Sequence, residues 1–500
     1  MQQTVTTIAR KLNFSGFGRN FSSFSQTSIS FADGDKGILD FNQLGRYIYH
    51  DADFIRLYIT VPSLIFISGL STTKVSREVE IMRQSTFNPV NSAANKSIGM
   101  AAHFHLTVQA LHLKSINKNV HVSNRPSTRI RSAKSMSAGI GSCHGGCFLS
   151  DSEKAHLEKV AAMIGTPGKG ITACDEGPGT IGDRFTAVGI ENTEENRRSY
   201  RQILFESPGC EKYLSAAILD PETLYQKSSN TGDVFPDVLT CRGIIPGVKP
   251  HLKVYSLPGQ AGATVMQGLD SLAPRLAEYK AAGCEFAKWR SPFEIDVSAG
   301  QPSDLIIQAN MRDLARYALI CQAEGLVPVV EPDISLLGDH DLETAIRVNV
   351  KVQSELFKAM IDHGVFMEGS VLKSNMVNPG KSCKKTYTVD EIAEANLVVF
   401  RRCLPTSITT ANFLSGGQSL VDAAARLNAI NAHKGPKDPW NLSFSWSAAL
   451  QMPLFQLCKG KNSLQLEAMS ELYLKELVIA SAAARGEHTP RAGEGDHIIA

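Results

Sequence analysis

Five ionisable side chains stand out because each ends a short apolar run in the second part of the chain. They are Asp175, Lys249, Lys288, Glu331 and Lys373. A single charged residue at such a position would be explained as a solvated strand end. Three ammonium groups held close together, however, repel one another unless carboxylates or an anionic substrate compensate. The set therefore predicts a site that receives a phosphate-bearing substrate.

The chemistry that this set allows centres on Lys373, which follows the apolar segment Gly369-Ser-Val-Leu. A lysine attacks a carbonyl only as the neutral amine, so burial or a neighbouring cation such as Lys288 must lower its pKa. The resulting iminium withdraws electrons and makes the C3–C4 bond of a ketose breakable. Glu331 and Asp175 are available to move protons to and from the substrate. This chemistry requires no metal and no other cofactor.

A glycine-rich turn supplies a candidate phosphate site. Ser415-Gly416-Gly417-Gln418-Ser419 follows the seventh apolar run and precedes an amphipathic segment. Backbone N–H groups at a turn that opens a helix bind phosphate well, and the loops after strands seven and eight form the usual phosphate site of a barrel. We therefore predict that Ser415, Gly416 and Gly417 bind a phosphate.

The elements that must position these residues are visible as an alternation of apolar runs and amphipathic segments from Asp151 onward. Segments such as Ser303–Glu324 and Asp341–His363 have apolar residues at the three- and four-residue spacing of a helix. The eight apolar runs are Gly170–Asp175, Ala216–Asp220, Ile244–Lys249, Cys284–Arg290, Leu326–Glu331, Phe366–Lys373, Ile408–Leu414 and Leu442–Trp446.

Eight β/α units in roughly 300 residues predict an α/β fold of the (β/α)₈ TIM-barrel type. Gly283, Gly325 and Gly364 follow three of the helical segments, where a left-handed C-cap favours glycine. Asn192 and Thr193 are candidates to cap another helix. A doubly wound open sheet shares the alternation, but the turn after its first strand is usually G-x-G-x-x-G, which is absent after Asp175.

The first 150 residues differ in charge from the rest of the chain. They contain 16 Lys/Arg and 7 Asp/Glu, a balance of +9, whereas the other 350 contain 35 and 42, a balance of −7. A basic, Ser-rich and acid-poor composition is typical of a transit peptide, so we expect a plastid location, with the cytoplasm as the alternative. A second interpretation is that part of this region is an artefact of gene prediction and that Met136 is the true start. The expected domains are an extension over 1–150, a barrel over 151–485 and a tail over 486–500.

The composition also indicates which classes of binding partner to expect. Hydrophobic residues at 43% and charged residues at 20% are typical of a soluble globular protein, so we expect neither nucleic acid nor a membrane as a partner. The apolar run Tyr58–Leu70 is too short and too interrupted to span a bilayer. No pair among the ten cysteines has zinc-ligand spacing with histidine partners, so we predict free thiols and no metal site.

Residues 151–485 resemble class I fructose-bisphosphate aldolase along their whole length. The resemblance implies reversible cleavage of fructose 1,6-bisphosphate to dihydroxyacetone phosphate and glyceraldehyde 3-phosphate, in glycolysis, gluconeogenesis or the Calvin cycle, by a protein that is usually a homotetramer. The matching stretches are Gly189-Ile-Glu-Asn-Thr-Glu-Glu-Asn-Arg-Arg198, Glu222-Thr-Leu-Tyr-Gln226, Phe286-Ala-Lys-Trp-Arg290, Val327-Pro-Val-Val-Glu-Pro332, Leu372-Lys-Ser-Asn-Met-Val377 and Phe413-Leu-Ser-Gly-Gly-Gln-Ser419.

The resemblance also implies a role for each site residue. Lys373 would form the Schiff base, with Glu331 and Lys288 as its acid–base and electrostatic partners. Asp175 would orient and deprotonate the C4 hydroxyl. The implied phosphate contacts are Lys249, Arg184 and Arg290 for the far phosphate, and Ser415, Gly416 and Gly417 for the C1 phosphate.

The chain departs from the family's pattern at several positions. The family has serines near the far phosphate where Gly177 and Thr180 stand, a glutamate where Asp333 stands, and an arginine that binds the C1 phosphate where Ala448 stands, after Ser447. Its tail ends in a tyrosine that shuttles a proton, whereas this chain ends Asp496-His-Ile-Ile-Ala500, which leaves His497 as the nearby candidate.

Two alternative functions follow from these departures. The first is an aldolase that prefers another ketose bisphosphate, such as sedoheptulose bisphosphate. The second is a weakly catalytic barrel that serves as a binding or scaffold protein. The presence of Asp175, Lys288, Glu331 and Lys373 together favours catalysis.

Overall fold

The computed structural model describes residues 147–260 and 262–498, together with the backbone of four short strands before them. Thr27–Ser30 pairs antiparallel with Lys36–Leu39, and Glu80–Met82 pairs antiparallel with His105–Thr107. The chain divides into two compact units, Met1–Thr128 and Arg129–Ala500. The proposed start at Met136, the apolar run at 58–70 and most of the predicted extension lie outside the described residues.

Eight parallel strands close into a barrel in the second unit, which confirms the predicted TIM-barrel fold. Each strand pairs with the next along the chain, and β8 closes the barrel on β1 by pairing Trp446 with Thr172. The strands are β1 (Gly170–Cys174), β2 (Leu214–Leu219), β3 (Ile245–Val248), β4 (Phe286–Phe293), β5 (Val327–Ile334), β6 (Val371–Ser374), β7 (Thr410–Phe413) and β8 (Asn441–Trp446). A hairpin of Val254–Ser256 and Thr264–Met266 follows β3.

Helices surround the barrel. Of the two candidate N-caps, Thr193 is the one that caps the helix Glu194–Glu206, and the predicted Gly283, Gly325 and Gly364 have left-handed φ values of 98°, 72° and 70°. Two helices match the predicted segments, because Ser303 and Asp341 are their N-caps and accept hydrogen bonds from backbone N–H groups. None of the described helices is long and apolar enough to cross a membrane. The helices are α1 (Asp151–Ile164), α2 (Pro178–Thr186), α3 (Glu194–Glu206), α4 (Phe235–Cys241), α5 (Leu272–Ala281), α6 (Asp304–Ala323), α7 (Leu342–Asp362), α8 (Val389–Cys403), α9 (Leu420–Ala432), α10 (Ala448–Gln456) and α11 (Leu466–Ala484).

Two apolar clusters leave only one end of the barrel open to a polar site. The inner cluster fills the barrel with side chains such as Phe286 and Val329, and Leu157 and Ile164 of α1 join it. The Ser215 hydroxyl donates to the Ile164 carbonyl at 2.7 Å, which fixes the end of α1 beside the start of β2. The outer cluster packs the strands against the helices. Because α1 covers the N-terminal end, the open end of the barrel is the C-terminal one.

The strand bounds differ most from the predicted ones in β4, β5 and β6. β4 and β5 continue past the predicted ends, so Lys288 and Glu331 lie within strands rather than at their ends. The sixth run was expected to be a strand from Phe366, but β6 begins only at Val371, after a 3₁₀ turn over Met367–Gly369. The Gln322 side chain bonds both the N–H (2.9 Å) and the carbonyl (2.6 Å) of Phe366, and so occupies groups that a strand needs for its ladder.

Candidate active site

The four candidate catalytic residues form one connected, buried cluster. The Lys288 Nζ lies 2.7 Å from the Asp175 Oδ2 and 2.8 Å from the Glu331 Oε2. The Lys373 Nζ lies 3.1 Å from the Glu331 Oε1. The exposed fraction of Lys373 is 4% and that of Glu331 is 3%. Two lysines and two carboxylates are thus held together away from bulk water.

The alternation of strand side chains explains why these residues meet. Every second residue of a strand faces the same side of the sheet. In each of the four strands that carry the cluster, the residues that face the barrel interior are apolar members of the inner cluster, followed by one charged residue at the open end. Neighbouring strands are in register, since β5 pairs Glu331 with Arg290 and Val330 with Leu372. The inward rows are Ile171, Ala173 and Asp175; Phe286 and Lys288; Val327, Val329 and Glu331; and Val371 and Lys373.

The charges in this cluster support one another's ionised forms. Burial alone would lower the pKa of Lys288, but the carboxylates of Asp175 and Glu331 outweigh it and hold that pKa above its usual range. Burial would raise the pKa of either carboxyl, yet Lys288 and Lys373 hold the pKa values of Asp175 and Glu331 below their usual range. At neutral pH, Lys288 is therefore an ammonium, and both carboxylates can accept a proton.

Two of the predicted phosphate contacts lie on the β3–β4 side of the barrel mouth. The Lys249 Nζ, just after β3, lies 3.0 Å from the Asp220 Oδ2 and donates to the Asp175 carbonyl at 2.5 Å. The Arg290 Nε, on β4, lies 2.6 Å from the Asp333 Oδ2, and the Arg290 side chain is 43% exposed. Both cations have carboxylate partners and stand at the open end.

Arg184 lies on the other side of β1. Its Nη2 is 2.8 Å from the Glu176 Oε1 and 3.4 Å from the Ser447 Oγ, and its Nη1 donates to the Gln451 Oε1 at 3.0 Å. Ser447 follows β8, and Gln451 lies in α10. The Arg184 side chain is 14% exposed. The structure therefore brings Arg184 to the end of β8.

The glycine-rich turn stands next to the cluster. The Leu414 N–H donates to the Ser374 carbonyl at 2.8 Å, which holds the start of the turn beside the end of β6. Gly416 and Gly417 have φ values of 57° and 80°, the left-handed region that favours glycine. The helix begins at Leu420, with Ser419, the last residue of the turn, as its N-cap.

The C-terminal tail is attached near this turn. The backbones of Tyr387 and His497 form two hydrogen bonds, and the His497 Nε2 lies 3.2 Å from the Cys383 carbonyl. A cavity of about 300 Å³ is lined by His497, Gly417 and Lys381 among others. His497 thus lies beside the turn, and its role as a proton donor stays a prediction.

Several residues of the site were not predicted from the sequence. Both ring nitrogens of His251 are buried without a hydrogen-bond partner among the described residues. Burial, followed by Lys288 and Lys249, lowers the pKa of His251 to about 3, so its ring is neutral. Gln451, which bonds Arg184, was also not predicted. It could have been found in the sequence, because it is a polar residue within the apolar segment that forms α10.

Within residues 147–260 and 262–498, no group of three or more His, Cys, Asp or Glu is placed to hold a metal ion. The cysteines of that part of the chain are free thiols. The positive charge next to Lys373 comes from the ammonium of Lys288, which shares the Glu331 carboxylate with it.

Comparison with known proteins agrees with this arrangement. A model of the family described as Fructose-bisphosphate aldolase class-I matches residues 156–497. The fructose-bisphosphate aldolase of Echinococcus multilocularis is 48% identical over 315 residues, which are 63% of this chain and 86% of that relative. Fructose-bisphosphate aldolase B of Gallus gallus is 44% identical over 341 residues, 68% of this chain and 92% of that relative.

A solved structure is also similar to this chain. It is the fructose-bisphosphate aldolase from Plasmodium falciparum, in complex with TRAP and a small molecule inhibitor, with a TM-score of 0.66 and 39% identity. The similarity covers 69% of this chain and 98% of that one. Because the family match takes in more than half of the chain and contains all eight barrel strands, this chain belongs to the class I fructose-bisphosphate aldolase family.

Proposed function

We propose that this chain cleaves fructose 1,6-bisphosphate to dihydroxyacetone phosphate and glyceraldehyde 3-phosphate through a Schiff base on Lys373. The observation that carries the proposal is the position of the Lys373 Nζ, buried and 3.1 Å from a Glu331 carboxylate that also contacts Lys288. A primary amine beside an ionised carboxylate and a fixed ammonium has the groups that iminium formation needs.

Schiff-base formation begins when Lys373 attacks the C2 carbonyl as the neutral amine. Glu331 first takes a proton from the Lys373 ammonium, which gives that neutral amine, and a second proton then moves from the nitrogen of the adduct to the C2 oxygen to form the carbinolamine. Glu331 returns the first proton to the carbinolamine hydroxyl, which leaves as water. The low pKa of Glu331 makes it a carboxylate at the start of this exchange. The product is an iminium between Lys373 and C2, and its positive charge is stabilised by the buried carboxylate.

Carbon–carbon cleavage follows from the iminium. Asp175, held ionised by Lys288, accepts the proton of the C4 hydroxyl. The C3–C4 bond then breaks, its electron pair moves toward the iminium to form an enamine, and the aldehyde product leaves. A proton must next be added to C3, and His497 at the glycine-rich turn is the candidate donor. Hydrolysis of the regenerated iminium releases dihydroxyacetone phosphate and frees Lys373.

The two phosphates would bind at opposite sides of the barrel mouth. Lys249 follows β3 and Arg290 lies within β4, and the turn Ser415–Gly417 follows β7, four strands from β3 around the eight-stranded barrel. A ketose bisphosphate lying across the mouth would place its carbonyl over Lys373 on β6. The reaction would need no metal, because the Lys288 ammonium supplies the cation beside the reacting carbon. We also propose a homotetramer, as the family resemblance implies, which light scattering on the purified chain would test.

Borohydride trapping tests the mechanism. We expect reduction in the presence of dihydroxyacetone phosphate to add one substrate residue per chain, on the peptide that contains Lys373. Lys373→Arg keeps the charge but is not an amine nucleophile, so it should show no adduct and a kcat at least about 10³-fold lower. Lys381→Arg is a control that changes an exposed lysine near the turn and should still be trapped. An adduct on any lysine other than Lys373 would contradict the proposed mechanism.

A further inference from the structure

We propose that Arg184 replaces the missing arginine of β8 and binds the C1 phosphate, not the far phosphate. This inference rests on the proposed function, because it assigns a role in that same site. The family's pattern puts an arginine for the C1 phosphate at position 448, where this chain has alanine. The Arg184 guanidinium contacts the Ser447 hydroxyl, one residue before that position.

Strand register places this guanidinium beside the glycine-rich turn. β7 and β8 pair Phe413 with Phe444, and continuing that register sets Ser415 opposite Trp446. Ser447 is the next residue, and neighbouring strands are about 4.8 Å apart. A phosphate bound by the N–H groups of the turn would therefore lie within reach of a cation at Ser447.

The order of the strands places Arg184 on a different side of β1 from Lys249, which is a predicted contact of the far phosphate. β1 lies between β8 and β2 in the barrel. Arg184 reaches the β8 side of β1, where Gln451 also bonds the Ala173 carbonyl at 2.7 Å. Lys249 reaches the β2 side, where it contacts Asp220 and the Asp175 carbonyl. These two cations therefore contact β1 from opposite sides, which favours a separate phosphate for each.

The hydrogen-bond partners of Arg184 are those expected of a cation that binds an anionic ligand. The guanidinium is mostly buried and is bonded to the Glu176 carboxylate, and the Ser447 hydroxyl donates to the same carboxylate. The other oxygen of that carboxylate, Oε2, is buried without a hydrogen-bond partner among the described residues. The other terminal nitrogen of the guanidinium, Nη1, donates to the Gln451 side chain. Arg184 is thus oriented by neutral groups and balanced by a single carboxylate, which a phosphate can replace.

A substrate comparison separates the two assignments. Fructose 1-phosphate and dihydroxyacetone phosphate carry only the C1 phosphate, whereas fructose 1,6-bisphosphate carries both. We expect Arg184→Ala to raise KM about 10- to 100-fold for fructose 1-phosphate and for the bisphosphate alike, the loss expected for one charge-assisted hydrogen-bond pair. Lys249→Ala, on the far side, should raise KM for the bisphosphate alone. A rise in KM with Arg184→Ala for the bisphosphate alone would overturn the proposal.

Restoring the arginine at its usual position gives a second test. The double variant Arg184→Ala with Ala448→Arg should recover KM for fructose 1-phosphate to within about threefold of the unaltered chain, because the cation returns to the same place. A purely structural role for Arg184 would not be rescued from position 448. Lys381→Ala is the competing variant, since the Lys381 Nζ would lie 4.0 Å from a Cβ on Gly417. A larger loss with Lys381→Ala than with Arg184→Ala would also overturn the proposal.

Phosphate binding can be measured independently of the Schiff base. In a Lys373→Arg background, calorimetry with dihydroxyacetone phosphate reports only non-covalent binding. Adding Arg184→Ala in that background should weaken binding by the same 10- to 100-fold. Unchanged affinity there would contradict the role of Arg184, whereas failure of borohydride trapping would contradict the proposed function alone.

Discussion

Glu331 is the residue whose removal tests the buried cluster most directly, because it contacts both lysines. Glu331→Gln keeps the shape of the side chain but removes the proton acceptor beside Lys373. We expect kcat for fructose 1,6-bisphosphate to fall about 10²- to 10⁴-fold, the usual contribution of a positioned acid–base group. The measurement is steady-state kinetics, with thermal unfolding to show that the variant is folded.

Asp333 offers a matched comparison on the same strand. It is buried like Glu331, but its carboxylate pairs with Arg290 rather than with a lysine of the cluster. Asp333→Asn should therefore raise KM, through the freed Arg290, more than it lowers kcat. Equal losses of kcat in the two variants would contradict a specific proton-transfer role for Glu331.

The site residues that could be predicted from the sequence are those whose place follows from the alternation of side chains along a strand. Lys373 and Glu331 follow inward apolar residues at a spacing of two, so their meeting depends only on the barrel. The partners of Arg184 could not be predicted in this way. They lie 8, 263 and 267 residues from it along the chain, on a turn, a strand end and a helix, and no periodicity links these elements.

At the scale of the elements, close packing inside the barrel leaves no room for a side chain at some glycine positions. A Cβ on Gly247 in β3 would lie 2.3 Å from the Phe286 ring, which fills the barrel interior. Gly247→Ala should therefore lower the free energy of unfolding by about 1–3 kcal/mol through overpacking. Gly179→Ala in α2 is the control, because nothing lies within 4 Å of its added Cβ. Urea unfolding would measure both, and equal stability of the two variants would contradict the packing argument.

Helix α11 contains a buried acid whose titration should be visible in stability. Burial raises the pKa of Glu476 from 4.5 to about 8, and its Oε2 has no hydrogen-bond partner among the described residues. The folded chain keeps this proton up to about pH 8, whereas the unfolded chain loses it above about pH 4.5. The stabilisation is therefore fully present below the unfolded pKa and is lost as pH rises through the folded pKa.

Glu476→Gln removes this titration while keeping the volume of the side chain. Relative to the unaltered chain, its Tm should be nearly unchanged at pH 5 and higher by a few degrees at pH 8.5. Thermal unfolding at the two pH values provides the measurement. A difference in Tm that is the same at both would show that Glu476 does not titrate in this range.

The ends of the elements were harder to predict than their number. All eight strands and helices α6 and α7 follow from the pattern of apolar residues along the sequence. The late start of β6 does not, because it depends on the Gln322 side chain, 44 residues away from Phe366. A tertiary hydrogen bond of this kind overrides the local β preference, and it has no signature in a window of ten residues.

At the scale of the whole molecule, the extension raises the question of location. We propose that residues 1–150 direct the barrel to a plastid, which is supported by their 16 basic against 7 acidic residues and by the absence of acidic residues between Glu80 and Asp151. Fusing residues 1–150 to a fluorescent protein in plant cells should give plastid fluorescence. Fluorescence that stays in the cytoplasm would contradict the proposal.

The barrel itself should not need the extension for catalysis. The candidate site residues, from Asp175 to His497, lie within the unit Arg129–Ala500, and the inner apolar cluster begins only at Leu149. A chain that starts at Arg129 should therefore cleave fructose 1,6-bisphosphate with kcat and KM within about twofold of the full chain. Steady-state kinetics on both chains at equal concentration would check this.

A chain that starts at Gly165 is the contrasting variant, because it lacks α1. Leu157, Val160 and Ile164 would no longer cover the N-terminal end of the barrel, and each such side chain contributes about 1.5–3 kcal/mol by its burial. We expect this shorter chain to lose cooperative thermal unfolding and activity, while the chain from Arg129 keeps both. If the chain from Arg129 also lost activity, the extension would be part of the folded enzyme, and α1 would not be the element that completes the barrel.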